Sequence, residues 1–170
     1  MLFSPSFCHG PASSAVRVSE PVHVHATAVL LGSFGVLLRG PSGSGKSLLA
    51  LALLDRWESR NQTASLVADD QVRLTRADGV ISMAVPERIA GLIELRFRGP
   101  LRRPYRSPVD LHLVVDLLHE ATRLPEPSGF STDLLGIAVA RAPVPRESII
   151  GLGHQVILVV EALAALRSRH

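Results

Sequence analysis

Residues 40–47, Gly-Pro-Ser-Gly-Ser-Gly-Lys-Ser, constrain this chain more than any other stretch. They fit G-x-x-x-x-G-K-[S/T], a loop whose backbone wraps phosphate oxygens. The flanks suit it. Gly35–Arg39 (Gly-Val-Leu-Leu-Arg) reads as a short buried strand entering the loop, and Ser47–Trp57 is built mostly of strong helix formers leaving it. Glycines let successive N–H groups curl around an anion, and the helix N-terminus adds about half a positive charge. Lys46 supplies a full charge to the terminal phosphates, and the Ser47 hydroxyl can ligate Mg²⁺. A chance Gly/Ser turn is the bland alternative, but it explains neither strand nor helix. Lys46 is also the only lysine among the chain's 18 basic residues. A sequence that uses arginine everywhere else keeps lysine where a compact point charge is needed.

The 170 residues suit one domain with a substantial core, expected over 21–170 behind a flexible segment at 1–20. With 46% apolar and 19% charged residues, the chain is globular. No unbroken apolar stretch reaches the roughly 18 residues of a membrane span, and Met1–Gly10 lacks the pattern of a signal peptide, so no membrane association is expected. The single Cys8 excludes an internal disulfide and suits a reducing, cytoplasmic setting. A net charge of +3 with one Trp, one Tyr and five Phe offers little aromatic surface for bases. A basic site for phosphate and an acidic protein partner explains the charge better than nucleic acid does.

Along the chain, Val22–Leu31 alternates and reads as a strand with His23 and His25 on one face. Gly32-Ser33 would turn it into Phe34–Arg39. Asn61 is a helix stop. Ala64–Ala68 is a short apolar strand ending in Asp69-Asp70. One carboxylate of that pair can hold metal-bound water while its neighbour acts as a base; a turn-forming Asp pair is the alternative. Ala77-Asp78-Gly79 marks a hairpin. Leu92–Phe97 alternates and would place Glu94 and Arg96 on one face, suited to metal and phosphate or merely to an exposed ion pair. Arg98–Arg106 carries four arginines, a candidate docking surface or a solvated run. Val109–Leu118 reads as a central strand, whose Asp116 competes with Asp69 as the acid paired to the loop. His119–Ser131 reads as a polar loop with Arg123. Leu134–Arg141 reads as a strand ended by Pro143-Val144-Pro145, and Gln155–Leu166 as a closing apolar helix. No repeat, low-complexity tract or interior domain boundary is visible.

Several of these segments together resemble the catalytic domain of HPr kinase/phosphorylase, a bifunctional bacterial enzyme acting on a serine of the phosphocarrier HPr. The resemblance runs from about His25 to Leu166 and is to the short, catalytic-domain-only type. It implies an α/β fold similar to phosphoenolpyruvate carboxykinase: a P-loop within a mixed β-sheet. It implies ATP and Mg²⁺ as cofactors, an HPr-like phosphocarrier as partner, and a homo-oligomer, often a hexamer. By the same resemblance, His25 corresponds to the active-site histidine. The nucleotide loop is Gly40, Pro41, Ser42, Gly43, Ser44, Gly45, Lys46 and Ser47, with Lys46 on phosphate and Ser47 on metal. Asp70 is the acid/base, Glu94 the second metal ligand and Arg123 a catalytic arginine. Two departures stand out: Phe97 occupies a glycine position, and His154-Gln155 replaces Arg-Asn in a segment tied to dephosphorylation. The competing readings are a small-molecule P-loop kinase, which would need a lid and an acceptor pocket, and a non-catalytic ATP-sensing module.

Overall fold

The computed structural model describes residues 19–120, 123 and 125–168. Most of the segment expected to be flexible, with Cys8, lies outside the described residues, as does Leu124. The elements run β1 (Val22–Val24), β2 (Thr27–Leu31), β3 (Phe34–Arg39), α1 (Lys46–Glu58), β4 (Ala64–Ala68), β5 (Val72–Ala77), β6 (Val80–Ala84), β7 (Leu92–Leu95), β8 (Gly99–Arg102), β9 (Val109–Leu118), β10 (Ser131–Leu134), β11 (Ile137–Pro145), α2 (Glu147–Ile150) and α3 (Leu152–Arg167). Nine strands form one mixed sheet, as the resemblance implied, with the path β1-β5-β6-β9-β3-β2-β4; β11 joins β9 and carries β10. β7 and β8 form a separate hairpin.

Alternation along the central strands builds two cores from one sheet. Val29, Leu31, Val36 and Leu38 face α1 and α3, joining Leu49, Leu53, Leu54, Trp57, Val159 and Leu163. Ala28, Leu30 and Leu37 face the other way, onto Val72, Leu74, Ile81 and Met83 of the β5–β6 wing. With both faces covered, β2 and β3 read as continuous apolar runs and are buried nearly throughout. Each fully buried Leu or Val contributes roughly 1.5–3 kcal/mol.

Strand direction decides where chemistry can gather. β3 is parallel to β9, and β9 to β11. β2 runs antiparallel to both β3 and β4, so β4 shares the direction of β3. The C-terminal ends of β3, β4, β9 and β11 therefore meet at one edge of the sheet, and β2 begins there, between β3 and β4.

Three expectations change in detail. Val22–Leu31 is two strands, not one: β1 pairs with β5, β2 with β3 and β4. His25 stands at the bend between them, so it does not share a strand face with His23. β7 stops at Leu95, leaving Arg96 in the turn. β11 runs on to Pro145, because its last residues pair only with β9 and a proline on an open edge leaves no ladder donor missing.

Candidate active site

The phosphate loop joins β3 to α1. Gly45 caps α1 with φ 94°, a left-handed value that a side chain would strain. A Cβ on Gly40 would stand 2.7 Å from the Ser44 hydroxyl, so the loop can close this tightly only without one. Lys46 is buried, 6% exposed, and donates to the carbonyls of Gly40 (2.9 Å) and Pro41 (3.0 Å). Burial lowers its pKa, and the charges of Asp69 and Asp70 offset only part of that. No ion pair among the described residues includes Lys46. Ser44 Oγ is buried and has no hydrogen-bond partner. A buried cation and an orphaned hydroxyl in one loop are the signature of a site shaped for an anion.

Asp69 and Asp70 follow β4 and differ in every respect. Asp69 is 8% exposed. Its Oδ1 accepts from Thr27 Oγ1 (2.7 Å) and Ser47 Oγ (2.9 Å), and its Oδ2 accepts from the Glu94 amide (3.0 Å). Because the Ser47 hydrogen is spent on Asp69, the Ser47 lone pairs are free for a cation. Asp70 is exposed, in the left-handed region at φ 67°, and lies 2.8 Å from His25 Nδ1. His25 Nε2 lies 3.3 Å from Lys46 Nζ. An ammonium only donates, so Nε2 accepts and the imidazole hydrogen sits on Nδ1, toward Asp70. A line of three groups, Lys46–His25–Asp70, thus runs from the loop to the solvent. The bend just before β2, which begins between the ends of β3 and β4, places His25 there.

The β7–β8 hairpin closes the other side. The Asp69–Glu94 bond anchors its first strand, leaving the Glu94 side chain exposed. Arg96 Nη2 comes within 3.4 Å of where a Cβ on Gly43 would stand, so this guanidinium overhangs the phosphate loop. Lys46, Ser47, His25, Asp70 and Arg96 are therefore brought together, with the main chain of Glu94 beside them. Arg123 is exposed, and no hydrogen bond or ion pair among the described residues joins it to the loop. His154 is exposed on α3, while Gln155 is buried and donates to the Pro145 carbonyl (2.8 Å), an anchor for the helix. Asp116 is taken by two arginines: Arg39 binds it at 2.8 and 2.9 Å and Arg141 at 2.6 Å. Burial alone would raise its pKa, but the hydrogen bonds and charges of Arg39 and Arg141 outweigh it and hold the pKa below 3.8.

Comparison with known proteins gives the family and the fold. The model of the HPr Serine kinase C-terminal domain family matches residues 16–102, from before β1 through the β7–β8 hairpin. The chain belongs to that family. It is 31% identical over 159 residues to the HPr kinase/phosphorylase of Bordetella pertussis, an alignment covering 86% of this chain and 48% of the relative. It is 36% identical over 124 residues to that of Xanthomonas campestris, covering 68% and 37%. The chain thus spans about half the length of the curated relatives it matches, or less. The structure of the Hpr(Ser) kinase/phosphatase from Coxiella burnetii superposes with a TM-score of 0.66 at 22% identity, covering 87% of this chain and 94% of that one, which shows a shared fold. No helix of the described residues is long and apolar enough to cross a membrane.

One participant and one pairing were missed by the sequence reading. Thr27 is fully buried and bonds the acid that holds Ser47. Its only sequence signal is a hydroxyl in an apolar run two residues after His25. The pairing of Asp116 with Arg39 and Arg141 had no sequence signal, since it depends on strand register.

Proposed function

We propose that this domain is an ATP-dependent protein serine kinase acting on an HPr-like phosphocarrier, with phosphorolysis of the phosphoserine as its reverse reaction. The observation that carries this reading is the alignment of Asp70, His25 and Lys46 across the mouth of the phosphate loop. Lys46 and the loop amides hold the phosphates of ATP. Ser44 Oγ and Arg96 are further donors at that loop. Ser47 and Glu94 would hold Mg²⁺, which supplies charge neutralisation between the phosphates when bound. Glu94 suits this role because its main chain is already fixed on the acid that orients Ser47.

Asp70 accepts the proton of the acceptor serine as the phosphoryl group moves. The His25 Nδ1–H bond orients that carboxylate, and Lys46 holds His25 in the tautomer that makes the bond. In reverse, orthophosphate in the anion site attacks the phosphoserine phosphorus, the bond from phosphorus to the serine oxygen breaks, Asp70 returns the proton to that oxygen, and pyrophosphate leaves. Arg123 completes the charge balance only if the acceptor brings its loop to the site. Like its relatives' names, the geometry favours a protein acceptor: the base stands in the open, where a folded partner can reach it. The same reading makes the protein a cytoplasmic homo-oligomer.

The deciding experiment is incubation with ATP–Mg²⁺ and the organism's HPr-like protein, read by intact mass. The expected result is a gain of one phosphoryl group on serine, reversed by orthophosphate with release of pyrophosphate. Turnover of metabolites with no phosphorylation of the carrier would replace this reading with that of a small-molecule kinase. Tight ATP binding without any turnover would replace it with an ATP sensor.

A further inference from the structure

Phe97 is the most exposed large apolar side chain among the described residues, at 102% of its reference area. Single exposed apolar residues are common and carry little meaning. This one has a second abnormality. The Arg98 amide bonds the Leu95 carbonyl at 2.9 Å, closing a turn whose third residue is Phe97, with φ 67°. That place in a type II turn calls for glycine, and a bulky residue there strains the backbone. The chain therefore holds a phenyl ring in a costly conformation where it touches nothing of its own core. Strain retained without an internal contact points to an external one.

Position says which. The hairpin tip lies at the mouth of the phosphate loop, with Arg96 over Gly43 and Glu94 tied to Asp69. Asp69, to which the hairpin is tied, is followed directly by Asp70, the base of the reaction proposed above. Arg96 and Arg98 flank the ring and are exposed, and Arg102 and Arg106 continue the basic surface along the hairpin and the loop after it. Aromatic and arginine side chains together are the composition of protein interface centres.

We infer that Phe97 is a specificity residue: an aromatic anchor, flanked by Arg96 and Arg98, that seats an apolar side chain beside the acceptor serine on an acidic protein surface. The inference rests on the protein-kinase reading above and adds to it where the acceptor is gripped.

The test uses the full chain, ATP–Mg²⁺ and the HPr-like acceptor. Phe97→Gly relieves the turn and removes the ring; Phe97→Ala removes the ring and keeps a Cβ at positive φ; Phe97→Tyr keeps a ring. The expected result is a KM for the acceptor raised about 10-fold or more in the Gly and Ala variants. Their KM for ATP and their kcat should stay unchanged, and Tyr should behave as wild type. Acceptor binding without nucleotide, measured by titration calorimetry, should weaken in parallel. Phe97→Gly should also melt several degrees higher than wild type, which separates lost binding from lost folding. An unchanged acceptor KM would overturn the inference while leaving the kinase reading intact. A raised KM for ATP instead would assign the ring to the nucleobase. A changed elution volume with acceptor KM unmoved would assign it to contacts between copies; either overturns it. If wild type phosphorylates no protein acceptor, the underlying reading fails first.

Discussion

Asp69 and Asp116 end up at the same edge of the same sheet, each beside a residue of the β3–loop–α1 unit. Asp116 faces Arg39, the last residue before the loop, and Asp69 faces Ser47, the second residue of α1. Their partners differ in kind. Asp116 spends both oxygens on two permanent cations, Arg39 and Arg141, and Arg141 goes on to bind the Gly129 carbonyl at 2.9 Å. That carboxylate is neutralised and geometrically full, a tie between β3, β9, β11 and the turn at 127–130. Asp69 accepts hydrogen bonds only from neutral donors, two hydroxyls and one amide, with the Lys46 charge nearby but not bonded to it. It keeps its negative charge available, and it sets the Ser47 hydroxyl so that its lone pairs point away. Asp69 is buried and Asp116 only half-buried, so depth does not explain why Asp116 is the one held by cations. On the reading proposed above, what separates the structural acid from the site acid is whether a hydrogen-bonded cation cancels its charge.

The largest effect expected from this contrast lies in turnover. Asp70→Asn keeps the shape of the base next to Asp69 and removes its basicity, so phosphoryl transfer should fall by about 10²–10⁴ with ATP binding retained. Asp116→Asn should leave kcat within a few-fold per folded molecule. Steady-state kinetics on both variants, normalised to folded protein, checks the pair; the opposite pattern would make Asp116 the site acid.

The next effect is on stability. Asp116→Asn leaves two half-buried guanidiniums facing a neutral amide, and a loss of about 2 kcal/mol is expected, the scale of hydrogen bonds to a charged group. The sign with pH follows from the lowered pKa. The folded state holds Asp116 below 3.8, so its contribution is full above that value and is lost as the pH falls through the folded pKa. Denaturant titrations of wild type and Asp116→Asn should therefore run apart at pH 6 and converge on the acid side of about pH 4. A gap that persists into strong acid would mean the arginines do not act through the charge of Asp116.

The same contrast explains what could be read from the sequence. The loop, its strand and helix, the Asp69-Asp70 pair and the Asp78-Gly79 hairpin are local. Each is written in adjacent residues, and the strand Ala64–Ala68 and the turn at φ 49° and 80° fall where expected. The choice between Asp69 and Asp116 was not local. It depended on β3 and β11 both lying parallel to β9, which puts Arg39 directly opposite Asp116 and Arg141 opposite Val114, two residues along on the other side. Register between distant strands leaves no mark in one sequence. The bend that frees His25 from β1 and β2 was hidden for the same reason: an unbroken run of β formers conceals that its two halves pair with different neighbours. Arg96 was read as sharing a strand face with Glu94, whereas its reach over Gly43 comes from the turn that Phe97 completes.

Thr27 gives the finest test, because it alters the surroundings of Asp69 without touching the carboxylate. Its hydroxyl, wholly buried, is one of two donors on Oδ1. Thr27→Val keeps the β-branched shape that strand β2 needs and deletes that donor. Two consequences should follow. The fold should lose on the order of 1–2 kcal/mol, the cost of one hydrogen bond to a buried carboxylate. With one restraint gone, Asp69 should orient Ser47 less strictly, so the Mg²⁺ concentration for half-maximal activity should rise several-fold while kcat at saturating metal barely changes. Thr27→Ser restores the donor on a smaller side chain and should recover the metal requirement even if it does not recover the stability. That split is what distinguishes positioning from packing. If Ser and Val behave alike in metal titrations, Thr27 serves only to fill the strand, and the Glu94 amide and Ser47 alone hold Asp69 in place.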